Sequence, residues 1–263
     1  MRVSEVFLYD EPAVPQLDLD GLASFLEKTF CVKVTKRRNI FHEISEEVAG
    51  KIAASRIFEF GAPFEPHSPT IDEIKIEMQG FHSQHEQDGI IAYDGFEFQS
   101  IVSDIIPREE HTLENFHLVF TSKLTCTFDN EDHRYHGRAV IGSNPSIIST
   151  TGVIEAPAKP RQYYMDLMAN HVQGLNVESI KGRYRGEYLE YQDPRLGKVV
   201  EGYAMQALFY YITGKPFCDL LDCRLNNAHW QRDLLYSQIE FGRLCGHHQG
   251  ILKEWTALNN LNC

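Results

Sequence analysis

Four metal-ligating side chains near the C-terminus constrain the fold of this chain more than any other feature. They form two short pairs, Cys218-x4-Cys223 and Cys245-x2-His248, separated by a segment long enough for a helix. A closed tetrahedral zinc site uses such pairs, because each pair holds the ion from one tight turn and the intervening segment brings the turns together. The pattern therefore predicts a structural zinc that fixes the C-terminal segment and leaves no open position for a substrate.

The identity of the ligands and of the metal stays open at this point. His247 stands beside His248 and would serve as the fourth ligand equally well, and His229 lies within the intervening segment. Iron is an alternative to zinc at a site with thiolate ligands. Cys31 and Cys126 stand alone in apolar surroundings, which is typical of buried thiols rather than of ligands.

Charge and composition exclude several classes of partner. The formal net charge is −12, which opposes binding to nucleic acid and to anionic membrane surfaces. No apolar run approaches the roughly 20 residues of a membrane helix, and the N-terminus lacks the pattern of a signal peptide. No phosphate-binding loop or dinucleotide fingerprint is present. We therefore expect a cytoplasmic protein without nucleic-acid or membrane partners.

The hydrophobic pattern predicts an α/β fold. A strand at 3–9, a helix at 18–30 and a strand at 31–35 suggest a βαβ unit. Further strands are predicted at 117–121, 124–128, 138–142 and 146–149, and further helices at 46–58, 162–168, 196–212 and 228–239. Residues 61–70 are rich in proline. Residues 71–107 show no clear hydrophobic period, and they contain Gly80, Gly89 and Gly95.

These assignments divide the chain into three segments. Residues 1–60 form the βαβ-like segment, 61–115 an irregular insertion or linker, and 116–263 the segment that carries the metal ligands. A single continuous domain is the alternative, in which the N-terminal segment adds its strands to the same sheet.

The second half of the chain carries the landmarks of a peptidase family in their order. Leu118–Thr121 is similar to a strand that ends in V-T-D, and Gly137–Ile141 with Ser146–Ser149 is similar to the segment that leads into and forms the edge strand over the substrate cleft. The two ligand pairs match a C-x4-C-x17-C-x2-C tail, with a longer insert and histidine in the last place. In these respects residues 116–248 resemble the archaemetzincins, a branch of the metzincin zinc peptidases. The resemblance implies a metzincin-like mixed twisted sheet with helices and a zinc-stapled C-terminal segment.

The catalytic ligands of that family are absent in the same register. The archaemetzincin motif is H-E-x-x-H-x-x-G-x-x-H, and its histidines would fall at Ala207, Tyr211 and Phe217. The glutamate that activates water would fall at Leu208, and only the glycine persists, as Gly214. Alanine, tyrosine and phenylalanine supply no imidazole to a catalytic zinc. The resemblance therefore implies a zinc-binding relative that lacks the standard zincin centre.

Three further runs are similar to those of a second family of metallopeptidase relatives. The runs D-x-R-Y-H, S-T-x-G-x-x-E-A-P-A-K-P and N-A-H-W-Q stand here at Asp132–His136, Ser149–Pro160 and Asn227–Gln231. This resemblance implies a shared fold, and it does not establish an activity.

A relocated catalytic centre is the alternative to a zinc protein without hydrolytic activity. His133 and His136 would hold a metal if Asp132 oriented one of the rings. Glu201 would act as a general base if burial raised its pKa. The simpler interpretations are an exposed polar turn and a solvent-facing helix glutamate. Further candidates for the same centre are His171 and His229.

The predicted partner is a peptide or a protein segment. The resemblance places the binding edge near 146–150, where a polypeptide would bind by strand addition. Arg134 or Arg138 would anchor a carboxylate of the ligand through two parallel hydrogen bonds. A purely structural or regulatory subunit is the third interpretation.

Overall fold

Two sheets organise the chain in the computed structural model, which describes residues 2–79, 90–173 and 178–260. The larger sheet has the strand order β2-β1-β4-β8-β7, and the smaller has the order β3-β5-β6. The strands are β1 (Glu5–Tyr9), β2 (Lys33–Arg37), β3 (Ala92–Asp94), β4 (Asn115–Thr121), β5 (Leu124–Asp129), β6 (Arg134–Arg138), β7 (Val140–Ile141) and β8 (Ser146–Ser149).

Helices cover these sheets. They are α1 (Leu19–Phe30), α2 (Glu46–Ala54), α3 (Ile71–Gln79), α4 (Gly95–Ile105), α5 (Thr150–Glu155), α6 (Arg161–Val172), α7 (Glu178–Arg183), α8 (Leu196–Thr213), α9 (Gln231–Leu235) and α10 (Gly246–Asn260). Within the described ranges, no helix combines the length and the apolar character needed to cross a bilayer.

The predicted βαβ unit at the N-terminus is confirmed. β1 pairs in parallel with β2, and the Asp18 carboxylate caps α1 by accepting the Gly21 N–H at 2.9 Å. Leu22, Leu26 and Phe30 recur at helical spacing and bury the inner face of α1. β1 also pairs in parallel with β4, so the N-terminal unit and the later strands belong to one sheet.

The strand predicted at 146–149 is present, but the prediction that it lies at the edge of the sheet is wrong. β8 pairs in parallel with β4 on one side and antiparallel with β7 on the other. All four residues of β8 are buried, and Val140 stands opposite Ile148 as part of the outer strand. Strand addition to β8 is therefore blocked, because its backbone groups on both sides are already committed to neighbouring strands.

The segment predicted to be irregular contains regular elements. α3 begins with a capping box, in which the Glu73 carboxylate accepts the Thr70 N–H at 2.7 Å. Periodicity does not predict α3, because its apolar residues Ile71 and Ile76 are exposed and do not form a buried stripe. Gly95 opens α4, whereas Gly80 and Gly89 lie outside the described residues.

The long helix α8 has the predicted bounds, but the predicted helix at 228–239 is only partly regular. α8 ends at Gly214, whose φ of 75° is the left-handed conformation of a helix C-cap. α9 continues as a π-helix over Tyr236–Phe241. The Gln238 side chain of this π-helix packs directly against Gly202 of α8, where a Cβ would overlap its amide.

Two of the sequence runs that resemble metallopeptidase relatives bind each other. The buried Gln231 amide donates to the carbonyls of Val153 and Ile154 at 3.1 and 2.8 Å and accepts the Leu189 N–H at 3.1 Å. The Gln231 backbone N–H donates to the Ala158 carbonyl at 2.8 Å. These residues therefore join three chain segments through buried, satisfied polar groups, which is a structural role.

A buried histidine joins the strands β1, β2 and β4. The Tyr9 hydroxyl lies 3.1 Å from Nδ1 of His117, and Arg37 donates to the Tyr9 oxygen at 2.9 Å. Either ring tautomer can form the bond to Tyr9, and Nε2 of the same ring is buried without a hydrogen-bond partner among the described residues. Burial lowers the pKa of His117.

The lowered pKa of His117 predicts that the protein loses stability in mild acid. The pKa of His117 in the folded chain lies below its unfolded value of about 6.5. Its contribution is therefore complete above about pH 6.5 and is lost as the pH falls towards the folded pKa, because the unfolded chain then binds the extra proton. We expect urea unfolding between about pH 7 and pH 5 to show a shallower pH dependence for His117→Gln than for the wild type. Parallel pH profiles would contradict this expectation.

Candidate metal centre

The first ligand pair lies on a loop that closes on itself. Cys218 donates its backbone N–H to the Leu225 carbonyl at 2.8 Å, and Asn226 donates to the Cys223 carbonyl at 2.9 Å. The Asn226 amide reaches back to the Cys218 carbonyl at 3.3 Å. The loop therefore holds both thiols in place immediately after the turn that ends α8.

The second pair lies at the start of α10. Cys245 directly precedes the helix, and its carbonyl accepts the Gln249 N–H at 2.9 Å as the first helical hydrogen bond. His248 follows three residues after Cys245, so both side chains lie on one face of the first turn. The Cys245 N–H points at the Cys223 sulfur at 3.5 Å, a contact that favours a thiolate.

The four side chains converge to the dimensions of a tetrahedral site. The ligand atoms of Cys218, Cys223, Cys245 and His248 all lie within 4.8 Å of one another. The Cys218 and Cys245 sulfurs are 4.0 Å apart, and His248 Nδ1 lies 3.2 Å from the Cys245 sulfur and 3.7 Å from the Cys223 sulfur. Ordinary zinc bond lengths in a tetrahedron require about 3.8 Å between sulfurs and about 3.5 Å between sulfur and nitrogen. The donor set therefore fits zinc.

Electrostatics favour a cation at this centre. Burial raises the pKa of the Cys223 thiol to about 12, so without a nearby cation this thiol is protonated at neutral pH. Burial alone also raises the pKa of Cys245, but hydrogen bonds from the backbone of His248 and from the other two thiols bring it below its ordinary value. A bound divalent metal would stabilise all three thiolates at once.

The structure separates the alternative histidines. His248 is buried within the group, whereas the neighbouring His247 is exposed and lies outside it. His229 is exposed and contributes its carbonyl to the Ala158 N–H at 2.8 Å. Of the three, only His248 lies with the cysteines in the described part of the chain.

The positions that correspond to the zincin ligands do not form an open site. Ala207 and Leu208 are fully buried within α8. The Tyr211 hydroxyl donates to the Leu113 carbonyl at 3.1 Å, and Phe217 is 41% exposed. Two of the four positions therefore lie in packed core, with no space for an ion or a water molecule.

Glu201 is held by two cations. Its Oε2 accepts from Lys198 at 2.6 Å and from Arg224 at 2.9 Å. Arg224 is itself buried, and its Nε donates to the Gln238 amide oxygen at 3.3 Å. This arrangement accounts for Glu201 as the counter-ion of a buried arginine.

A second group of potential ligands forms at the turn between β5 and β6. Asp129, Asp132 and His136 place their ligand atoms within 4.8 Å of one another, and His136 Nε2 lies 2.8 Å from Asp132 Oδ2. His133 lies outside this group, in the turn, with a φ of 54°. Arg134 pairs with Asp132 at 2.6 Å, which places a positive charge beside the same carboxylate.

The remaining sequence candidates lie apart from the cysteines. Arg138 donates to the Thr127 hydroxyl at 2.7 Å across the β5–β6 pair. His171 is exposed in the last turn of α6. Neither residue is part of a metal-ligating group in the described ranges.

A buried charged cluster, which no sequence pattern predicts, forms around Glu77. The fully buried Glu77 accepts from Arg56 Nε at 2.8 Å and Nη2 at 2.5 Å, from the Tyr93 hydroxyl at 2.9 Å and from Lys123 at 2.6 Å. Burial alone raises the pKa of Glu77, but Lys123 and Arg56 together lower it below its ordinary value. These residues are spread over almost seventy positions, so no local motif connects them.

Comparisons with known proteins give one family and two solved structures. A family model described as "Probable metallopeptidase family (DUF6775)" matches residues 2–255. An archaemetzincin from Methanopyrus kandleri is 11% identical to this chain. The structural alignment covers 97% of this chain and 95% of the archaemetzincin, with a TM-score of 0.48. A zinc-dependent peptidase from Methanocorpusculum labreanum is 12% identical to this chain. The alignment covers 95% of this chain and 100% of the peptidase, with a TM-score of 0.42. No curated protein matches the sequence. At these identities we transfer no residue role from either structure.

Proposed function

The chain belongs to the probable metallopeptidase family DUF6775, and from this premise we propose that it holds one structural zinc and lacks the zincin catalytic centre. The ligands are Cys218, Cys223, Cys245 and His248. The observation that carries the proposal is the convergence of these four ligand atoms within 4.8 Å at distances that suit zinc. The buried Ala207 and the other substituted positions of α8 support the second half of it.

Zinc at this centre would crosslink two segments of the chain and would not take part in catalysis. Three thiolates and an imidazole complete a tetrahedron, so no coordination position is left for water or substrate. The side chains of this protein would hold the ion between the loop after α8 and the start of α10. Folding of this segment would then depend on the metal.

A peptide or protein segment is the proposed ligand of the fold. Because β8 is an inner strand, the proposed binding edge moves to the outer strands, among which β6 and β7 follow each other in the chain. Support comes from within the chain itself, since the Tyr135 N–H of β6 donates to the Phe60 carbonyl at 2.9 Å. The Phe60 carbonyl belongs to a turn, so a bound polypeptide would have to extend this single contact into a ladder along β6 or pair with β7 instead.

Metal content per chain tests the zinc proposal. We expect untagged protein to contain one zinc and Cys223→Ser to contain none. The matched control is Cys31→Ser, because Cys31 is a free cysteine outside the ligand group and should leave the metal content unchanged. A metal-free wild type, or zinc retained in full by Cys223→Ser, would refute the site.

A hydrolase with a relocated centre is the second candidate. The group formed by Asp129, Asp132 and His136 favours it, since two carboxylates and an imidazole suit divalent metals. In this case a second metal would survive in Cys223→Ser and disappear in His136→Ala. If a hydrolytic activity were detected and neither His136→Ala nor Glu201→Gln altered it, this second function would be excluded.

A further inference from the structure

A cationic pocket lies between the two sheets, and a helix of the same chain fills it. Arg56, Tyr93 and Lys123 come from three separate segments and direct four hydrogen bonds at the two oxygens of Glu77. Arg56 and Tyr93 are also joined by an isolated β-bridge, which fixes their relative position. The donors form a pocket built for one carboxylate, since planar guanidinium, ammonium and phenol groups all point at the same group.

The helix that supplies this carboxylate packs against α2 and is anchored on its inner side by charge. Glu77 is the one buried residue of α3. Ile71, Ile76 and Met78 of the same helix are 69%, 49% and 43% exposed, so much of its apolar surface faces solvent. Glu73 adds a longer contact to Arg56 at 3.7 Å. Glu77 and Glu73 therefore give α3 an acidic inner side, and the donors of the pocket hold this side in addition to the packing against α2.

The pocket occupies a position where open α/β sheets bind ligands. Within the sheet order, β1 is connected to β2 on one side, whereas its neighbour β4 continues towards β8 on the other. The carboxyl ends of β1 and β4 therefore form the point at which the strand order reverses. Lys123 lies two residues after the end of β4, and Glu11, just after β1, accepts the Ser122 N–H at 2.8 Å.

We propose that Arg56, Lys123 and Tyr93 form a carboxylate-binding site, that Glu77 fills it in the resting protein, and that a carboxylate of a bound polypeptide takes its place. The ligand group is either a C-terminal carboxylate or an acidic side chain. Removing Glu77 without a replacement would leave two buried cations unpaired, which is costly. An exchange of one carboxylate for another keeps the charges paired, so the cost is largely that of releasing α3. This site is independent of the zinc centre.

Chemical rescue tests whether the pocket accepts a free carboxylate. Glu77→Ala removes the group that acetate resembles, and the expected result is a lower thermal midpoint that acetate raises saturably beyond sodium chloride of equal ionic strength. The matched control is Glu47→Ala, because the Glu47 side chain is 79% exposed and should respond to the two salts alike. Adding Lys123→Met to Glu77→Ala should abolish the response to acetate.

Hydrogen exchange in the wild-type chain tests whether a ligand displaces the helix. The probes are three short peptides: one with a free C-terminus, the same peptide as its amide, and an amide that contains an internal glutamate. We expect the amides of Ile71–Gln79 to exchange about tenfold faster with at least one carboxylate-bearing peptide. The fully amidated, uncharged peptide should have no effect. The first and third peptides, each compared with the uncharged amide, separate a C-terminal carboxylate from an acidic side chain as the natural source.

The outcomes decide the proposal even if Glu77→Ala fails to fold, because the exchange experiment uses only the wild type. Acceleration in α3 by a carboxylate peptide, but not by the uncharged amide, supports displacement. Unchanged exchange with all three peptides would show that Glu77 is a permanent counter-ion and would overturn the proposal. A folded Glu77→Ala protein that responds equally to acetate and chloride would overturn it as well.

Discussion

His248→Ala is expected to release the zinc and to lower the free energy of unfolding by at least about 3 kcal/mol, or about 6–12 °C in the thermal midpoint. The effect would be large because the proposed metal would join the loop after α8 to the start of α10. Trp255 of α10 packs edge-on against Phe30 of α1, with ring centroids 5.9 Å apart. Loss of the metal would therefore loosen a helix that covers part of the main core.

Two variants at the same turn make the zinc prediction specific. His247→Ala should retain the metal and the wild-type midpoint, because its ring is exposed and outside the ligand group. His248→Cys should retain the metal as well, since a fourth thiolate suits the same tetrahedral geometry. The measurements are metal content, thermal unfolding with and without a chelator, and hydrogen exchange across α10. Equal losses in His247→Ala and His248→Ala would contradict the assignment.

Gly152→Ala is expected to destabilise the protein by about 3 kcal/mol or more. A Cβ on Gly152 would overlap the backbone carbonyl of Arg138, and backbone cannot rotate away as a side chain can. Arg138 is the last residue of β6, just before the chain enters β7 of the other sheet. Relief of the overlap would therefore have to move α5 or the crossing between the two sheets.

The control for this prediction is another helical glycine. A Cβ on Gly250 of α10 would meet no atom within 4 Å, so Gly250→Ala should leave stability unchanged or raise it by about 0.5 kcal/mol. Urea unfolding of both variants measures the difference. A Gly152→Ala protein as stable as Gly250→Ala would show that the α5 contact is more adaptable than its geometry indicates.

Sequence patterns predicted the elements whose signals are local. The βαβ unit follows from strand and helix periods within 3–35, and α8 follows from a long apolar helix that ends at Gly214. The proximity of the four candidate metal ligands could also be predicted, because the spacing within each pair is itself local. Such features depend on neighbours within a few positions, which a single sequence contains.

Other features depend on contacts that a single sequence does not encode locally. β8 was mistaken for an edge strand because strand order is fixed by pairing with β4 and with the two-residue strand β7. α3 was missed because it is anchored by one buried carboxylate rather than by an apolar stripe. The partners of that carboxylate, Arg56 and Lys123, are far from it in the sequence. From sequence alone they are therefore interpreted as ordinary charged surface residues.

The pairing of β1 with β4 means that the first strand is synthesised long before one of the two strands beside it. Glu5 pairs with Asn115, so the first strand must wait for more than a hundred further residues before its second neighbour exists. At ordinary translation rates this delay is about 5–20 s. During that time one side of β1 offers unpaired backbone groups to other chains. An inner position for the first strand therefore predicts slow folding and an exposed strand edge during translation.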